Sequence, residues 1–248
     1  HKNNRLFVGN SGVTARVLTV LCGLSNSPIT IECSERMENR PVKELIDAVS
    51  ELGIKVVSIK NNASFPLIVN GPFKGGKTSI NGDKSSQFFS AILLCAPYAR
   101  QEVKIKVKGE LVSKPYIKVT IRMMKDFGVD VINNHFKQFI IRPCIYKGHN
   151  YKIEGDFSSA SFFFAAAAIT GGKVRVNNLN PNSAQGDKIF IDLLKSMGCS
   201  VKKGKDWVEV KGAQLKPITV NMEDYPDIVI PLAVTAAFAK GTSKFTSI

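Results

Sequence analysis

Carboxylates are in short supply in this 248-residue sequence: 20 aspartates and glutamates stand against 34 lysines and arginines. Tryptophan occurs once and histidine three times. Long apolar runs are missing as well. The longest, Phe162 to Ile169, is far below the roughly 20 residues that a membrane-spanning helix needs. The opening residues, His1-Lys2-Asn3-Asn4-Arg5, have neither the apolar core nor the cleavage site of a secretion signal. A soluble, intracellular protein without a membrane partner is therefore expected. Five cysteines (Cys22, Cys33, Cys95, Cys144, Cys199) are scattered without a CxxC, and only Cys144 has a histidine close by, His149. That spacing argues against a disulfide framework and a zinc ligand set. Reduced, mostly buried thiols are expected.

A hydrophobic fraction of 44% and a charged fraction of 22% are those of an ordinary globular chain. The net charge of +14 favours an anionic partner: nucleic acid, an acidic surface or a phosphorylated small molecule. The lysines are dispersed. The densest run, Lys202-Lys203-Gly204-Lys205, reads as a turn between short strands. No aromatic-spaced RNA-binding signature is present, so nucleic acid is not the expected partner.

The chain repeats itself. Helix starts fall at Ser11, Ser85, Ser158 and Asp227, about seventy residues apart, which calls for a recurring supersecondary unit. Each unit opens with a buried helix: Thr14 to Leu24, Ser86 to Ala96, Ser159 to Thr170. A strand follows, then an amphipathic helix that stops at a glycine: Val42 to Leu52 before Gly53, Pro115 to Phe127 before Gly128, Lys188 to Met197 before Gly198. Glycine there suits a left-handed cap. Val42, Leu45, Ile46, Val49 and Leu52 form the apolar stripe of the first such helix. The fold class is α+β, in two parts. Lys147-Gly148-His149-Asn150 is a polar break, which places the domains at 1–148 and 149–248.

The segments before the first helices are alike: Gly9-Asn10-Ser11-Gly12, Gly82-Asp83-Lys84-Ser85-Ser86-Gln87 and Gly155-Asp156-Phe157-Ser158-Ser159. Ser and Asp there are ordinary helix caps. Three copies in a basic chain point further, because the unpaired N–H groups and dipole of a helix start favour an anion. Gly71-Pro72-Phe73-Lys74-Gly75-Gly76-Lys77-Thr78 matches the nucleotide-binding P-loop formally. That loop works only when its Lys and Thr open a helix; here they lead into a strand, and ATP binding is rejected. Arg36-Met37-Glu38-Asn39-Arg40-Pro41 precedes a helix with Pro41 at its first position, and one of its arginines suits a carboxylate or phosphate. Asp227, after Tyr225-Pro226, reads as a cap and becomes a base only beside a substrate hydroxyl.

These stretches, together with Arg16, Ser113-Lys114-Pro115-Tyr116-Ile117, Glu154 to Ser161, Asn182-Ser183-Ala184-Gln185-Gly186-Asp187 and Pro226-Asp227, resemble the signature motifs of the 5-enolpyruvylshikimate-3-phosphate synthases, in that family's order and close to its spacing. The resemblance covers nearly the whole chain. It implies a fold of two lobes with three repeated units each. It also implies the transfer of the enolpyruvyl group of phosphoenolpyruvate to the 5-hydroxyl of shikimate-3-phosphate, in the shikimate pathway. By the same resemblance, Ser85, Ser86, Gln87, Ser113, Tyr116 and Asp227 would bind shikimate-3-phosphate. Gly12, Arg40 and Gln87 would bind phosphoenolpyruvate, and Asp227 would be catalytic. Glyphosate is expected to compete with phosphoenolpyruvate, and the resemblance implies no metal and no organic cofactor. A monomer is expected, in the cytoplasm or, had a targeting segment been removed, in a plastid.

The family's catalytic Lys, its Ser-Arg pair and its Arg-x-Lys-Glu-x-Asp-Arg-like stretch have no counterpart in these residues. Both lobes are therefore expected to be incomplete, and substrate binding without turnover is expected of the chain by itself. Two alternatives share the fold. A UDP-N-acetylglucosamine enolpyruvyl transferase would carry a reactive Cys where Glu35 to Pro41 has none. A basic RNA-end-processing protein would show steep salt dependence.

Overall fold

The computed structural model describes residues 4–248. In the first repeat, β1 (Arg5–Phe7) runs parallel to β2 (Ile29–Glu32), with α1 (Gly12–Leu21) between them. A short turn of helix, α2 (Glu35–Glu38), then leads into α3 (Lys43–Glu51). A hairpin of β3 (Lys55–Ser58) and β4 (Leu67–Asn70) returns antiparallel to β2, giving the order β1-β2-β4-β3. The second repeat copies this arrangement. Its elements are β5 (Gly76–Asn81), α4 (Ser86–Cys95), β6 (Val103–Lys108), α5 (Lys114–Asp126), β7 (Val131–Asn134) and β8 (Gln138–Ile141). Their order is β5-β6-β8-β7, with the same strand senses.

The third repeat begins with α6 (Phe157–Thr170), followed by β9 (Lys173–Asn177), α7 (Ile189–Ser196), β10 (Ser200–Lys203) and β11 (Trp207–Lys211). Its sheet is β10-β11-β9, antiparallel throughout. The segment before α6 forms no strand. A fourth repeat opens with β12 (Thr219–Asn221), α8 (Val229–Ala236) and β13 (Lys244–Thr246), the two strands again parallel. One backbone bond recurs in all four: Val8 N–H to Glu32 O at 2.9 Å, Gly82 to Lys108 at 2.9 Å, Gly155 to Asn178 at 2.6 Å and Met222 to Thr246 at 2.9 Å. It fastens the loop ahead of each first helix to the strand that follows that helix.

Contacts divide the chain into two compact units, His1–His149 and Asn150–Ile248. Each has its own core. In the first, Ala15 and Val20 of α1, Phe89 and Ile92 of α4, Leu45 and Val49 of α3 and Ile117 of α5 are fully buried with the strand residues Ile31, Leu67, Ile105 and Phe139. In the second, Phe164 of α6, Phe190 and Leu194 of α7 and Leu232 of α8 close over Val208 and Val210. Truncating one of the buried phenylalanines to Ala would cost about 3–5 kcal/mol. Among the described residues no helix is long and apolar enough to cross a membrane, and no group of three or more His, Cys, Asp and Glu is placed to hold a metal.

The amphipathic helices end where their glycines stand: Gly53, Gly128 and Gly198 have φ of 93°, 81° and 106°, a region open to glycine at little cost. Helix ends shift by a few residues from expectation, as in α1 and α7, and two shifts have a clear local cause. Pro41 precedes α3 instead of opening it, because Val42 is non-helical (φ −135°, ψ 4°) and buries its side chain as the cap residue. The third first-helix starts at Phe157, ahead of Ser158, because the Asp156 carboxylate accepts from the N–H groups of both Ser158 and Ser159. The P-loop lookalike places Lys77 and Thr78 on β5, with the Thr78 hydroxyl donated to Glu51 at 2.6 Å.

Candidate functional site

In the first unit the parallel pairs β1–β2 and β5–β6 send their first helices back from the carboxyl ends of the strands, where ligands bind in open α/β sheets. At α1 the turn is made by Gly9, with φ 58°, and Ser11 caps the helix by accepting from Thr14 N–H at 3.2 Å. Ser34 N–H bonds Gly9 O at 3.1 Å, which draws in the stretch carrying Arg36 and Arg40. A cavity of about 150 Å³ lies among Asn10, Arg36, Met37 and Arg40.

Two guanidinium groups converge on the start of α1. A Cβ on Gly12 would stand 3.0 Å from Nη1 of Arg40 and 3.3 Å from Nη1 of Arg16. Burial first, and then the Arg40 charge, pull Arg16 below the ordinary guanidinium value. Its Nε is buried without a hydrogen-bond partner, a cost of roughly 1–3 kcal/mol. Arg16 is held from the next repeat, because its Nη1 donates to Oε1 of Gln87 and its guanidinium lies 5.2 Å from the centre of the Phe88 ring. Two like charges beside a helix N-terminus are an arrangement that an anion stabilises.

At α4, Ser85 accepts from Gln87 N–H at 3.3 Å, so its oxygen caps the helix while its hydroxyl proton stays available to donate. Ser86, at the first helical position, is 8% exposed. The start of α5 is fastened beside it: Val112 N–H bonds Gly82 O at 3.1 Å, and a Cβ on Gly82 would collide with the Glu110 carbonyl. Further along, Ser90 Oγ and Thr120 Oγ1 are 2.8 Å apart and join α4 to α5. Ser113 occupies the cap position of α5 without capping it; its backbone is left-handed (φ 55°, ψ 39°) and its side chain makes no cap bond. A non-glycine residue held there is strained, a pattern that clusters at ligand sites. Tyr116 sits one turn later and its carbonyl accepts from Thr120 at 3.1 Å.

In the second unit the sequence expectation needs correction at two points. The N–H groups at the start of α6 are already taken. Asp156 accepts from Ser158 and Ser159 at 3.1 and 2.9 Å, and Gln185 Oε1 accepts from Phe157 at 2.8 Å. With the Asp156 charge also in place, this third helix start is closed to an anion. Asp227, in turn, does not cap α8; it is exposed, in a 3₁₀ turn Pro226–Ile228, and the cap position belongs to Ile228. Sequence reasoning gave no role to Asp187, which is 2% exposed and accepts from the Ser158 hydroxyl. Its position inside the Asn182–Asp187 motif was the one available signal.

The architecture defines a class: a β-α-β-α-β-β unit, complete in the first two repeats, that brings glycine turns, serine hydroxyls and arginines to helix starts. Residues 1–248 match the family model for EPSP synthase (3-phosphoshikimate 1-carboxyvinyltransferase). A 3-phosphoshikimate 1-carboxyvinyltransferase of Shewanella baltica (strain OS195) is 43% identical over 250 residues, covering 98% of this chain and 58% of the relative. That of Escherichia coli O1:K1 / APEC is 40% identical over 245 residues, with coverages of 98% and 57%. A solved EPSP synthase from Acinetobacter baumannii superposes with a TM-score of 0.75 at 24% identity, over 98% of this chain and 56% of that one, and shows the fold. The chain belongs to the EPSP synthase family and spans 57–58% of the length of these curated relatives.

Proposed function

We propose that this chain supplies substrate-binding elements for enolpyruvyl transfer from phosphoenolpyruvate to the 5-hydroxyl of shikimate-3-phosphate. The observation that carries the reading is the convergence of Arg16 and Arg40 on Gly12 at the start of α1, with Arg16 bonded to Gln87 at the start of α4. Arg40 and the N–H groups around Gly12 hold phosphoenolpyruvate. Ser85, Ser86 and Ser113 hold the phosphoryl group of shikimate-3-phosphate, with Tyr116 beside it. Gln87, touching both sets, orients one substrate against the other. Glyphosate takes the place of phosphoenolpyruvate.

The chemistry is addition followed by elimination. The 5-hydroxyl oxygen attacks C2 of phosphoenolpyruvate and loses its proton, with Asp227 assisting, while C3 gains a proton. The C2–O bond to phosphate then breaks, C3 gives a proton back, and inorganic phosphate leaves. Both substrates are polyanions, so positioning and charge stabilisation are what the protein has to supply. A soluble monomer working in the cytoplasm fits this reading.

Isothermal titration tests it. Shikimate-3-phosphate should bind the chain, and Ser86→Ala combined with Ser113→Ala should weaken it by about tenfold or more, as expected for charge-assisted bonds. Gly12→Ala should weaken phosphoenolpyruvate, titrated in the presence of shikimate-3-phosphate, and leave shikimate-3-phosphate itself unchanged. Absence of heat with shikimate-3-phosphate, or indifference to the serine substitutions, overturns the assignment. Preferential binding of UDP-N-acetylglucosamine transfers it to the other enolpyruvyl transferases.

A further inference from the structure

The outer face of the β10-β11-β9 sheet carries a feature that enolpyruvyl transfer does not use. Val174 and Val176 of β9 and Val208 and Val210 of β11 point into the core of the second unit, so the intervening residues face outward. Lys173 and Arg175 of β9 stand beside Lys211 and Glu209 of β11, and Glu209 beside Lys202 of β10. A cavity of about 330 Å³ opens there, lined by Gly171, Gly172, Lys173, Lys202, Glu209 and Lys211.

Charge bookkeeping in this patch is lopsided. Its carboxylate, Glu209, is 8% exposed and is committed to Arg175, whose Nε and Nη2 both reach Oε2, at 3.1 and 3.0 Å. Arg175 is fixed in turn by stacking 3.9 Å from the centre of the Trp207 ring. Among the described residues no carboxylate lies within ion-pair distance of Lys173, Lys202 or Lys211. Lys173 and Lys211 are direct cross-strand partners, a like-charge pairing that destabilises a sheet unless something offsets it.

We propose that this cavity binds a small multivalent phosphoryl anion, a pyrophosphate or a phosphate ester, through Lys173, Lys202 and Lys211. Three unpaired ammonium groups match two or three negative charges, and lysine serves phosphate as a point charge. Glu209, held by Arg175, forms part of the wall. The site lies past the far end of α6, whose 14 residues span about 21 Å, so it is remote from the Asp156 end of that helix. It does not depend on the enolpyruvyl-transfer reading.

The test is a titration of the ¹⁵N-labelled chain with sodium pyrophosphate, reading the amide resonances of Gly171, Gly172 and Lys202. These amides should shift, and the Kd read from them should rise about tenfold or more in the double variant Lys173→Gln/Lys211→Gln. A control that removes the same charge elsewhere in the unit, Lys152→Gln/Lys240→Gln, should change that Kd less than twofold. Circular dichroism and the unperturbed remainder of the spectrum report that each variant is folded. The proposal fails if the three amides do not move, if their Kd is unchanged in the double variant, or if the control weakens binding equally. Binding at the serine-lined helix starts of the first unit moves other resonances and does not enter the measurement.

Discussion

Ser113 holds its place against its own backbone preference. A left-handed conformation costs a non-glycine residue about 1–2 kcal/mol, and this side chain recovers nothing by capping α5. Ser113→Gly should therefore raise the melting temperature while lowering affinity for shikimate-3-phosphate about tenfold. A variant that loses both would mean that the hydroxyl serves the fold. The cysteines make a second prediction at this scale. Burial lifts the Cys22 thiol up to about 11 and Cys95 up to about 12, and raises Cys33 and Cys199 as well; Cys144 is the exposed one. A chromogenic disulfide reagent at neutral pH should react rapidly with one equivalent, and Cys144→Ser should abolish that phase. The serine caps of α1 and α4 were legible, because Ser after a glycine turn is an ordinary helix start, and Ser11 and Ser85 do cap these helices. The partnership of Arg16 with Gln87 was not, since it joins positions 71 residues apart and arises only when two repeats pack.

Helix α6 shows how one element satisfies itself. Burial pushes the Asp156 carboxyl upward, yet hydrogen bonds from Ser159 and Ser158 prevail and hold it below its usual value. A carboxyl whose folded value is depressed stabilises fully above its unfolded value, about 3.9, and loses that contribution as pH falls through the folded value. Asp156→Ala should cost about 1–2 kcal/mol near neutrality, the worth of a good cap. It should also flatten the acid limb of the denaturation curve below about pH 4. A variant as stable as the parent, with the same acid limb, would mean that Gln185 alone closes this helix start. The helices, their glycine stops and the period near seventy were readable from apolar spacing and turn residues. The exact starts at Pro41 and Ser158 were not, because a buried Val42 and a doubly bonded Asp156 decided them through tertiary contacts. Asp227 was misread as a cap for the same kind of reason: the chain enters α8 through a 3₁₀ turn, which moves the cap position to Ile228.

The two units meet at His149 and Asn150, and the chain is anchored on either side of that point. Cys144 and Lys147 N–H groups bond Pro97 and Phe127 carbonyls, and His149 packs on the Phe127 ring at 4.5 Å. On the other side, Asn178 Nδ2 donates to Ile153 O at 3.1 Å. Brief trypsin treatment should cut first after Lys152 and leave two resistant bands, a larger one holding the first core and a smaller one holding the second. Initial cleavage in the Lys202–Lys205 turn would show instead that the second unit opens before the joint does. The backbone bond that recurs in all four repeats also sets where novelty is tolerated. It anchors the strand-to-helix crossing before the helix start is reached, so insertions between anchor and helix lengthen a surface loop without shifting the frame. The cap stands three positions after the anchor at Ser11 and Ser85, one at Asp156 and six at Ile228. A lineage built on this scaffold is thus free to acquire or discard a recognition loop one repeat at a time.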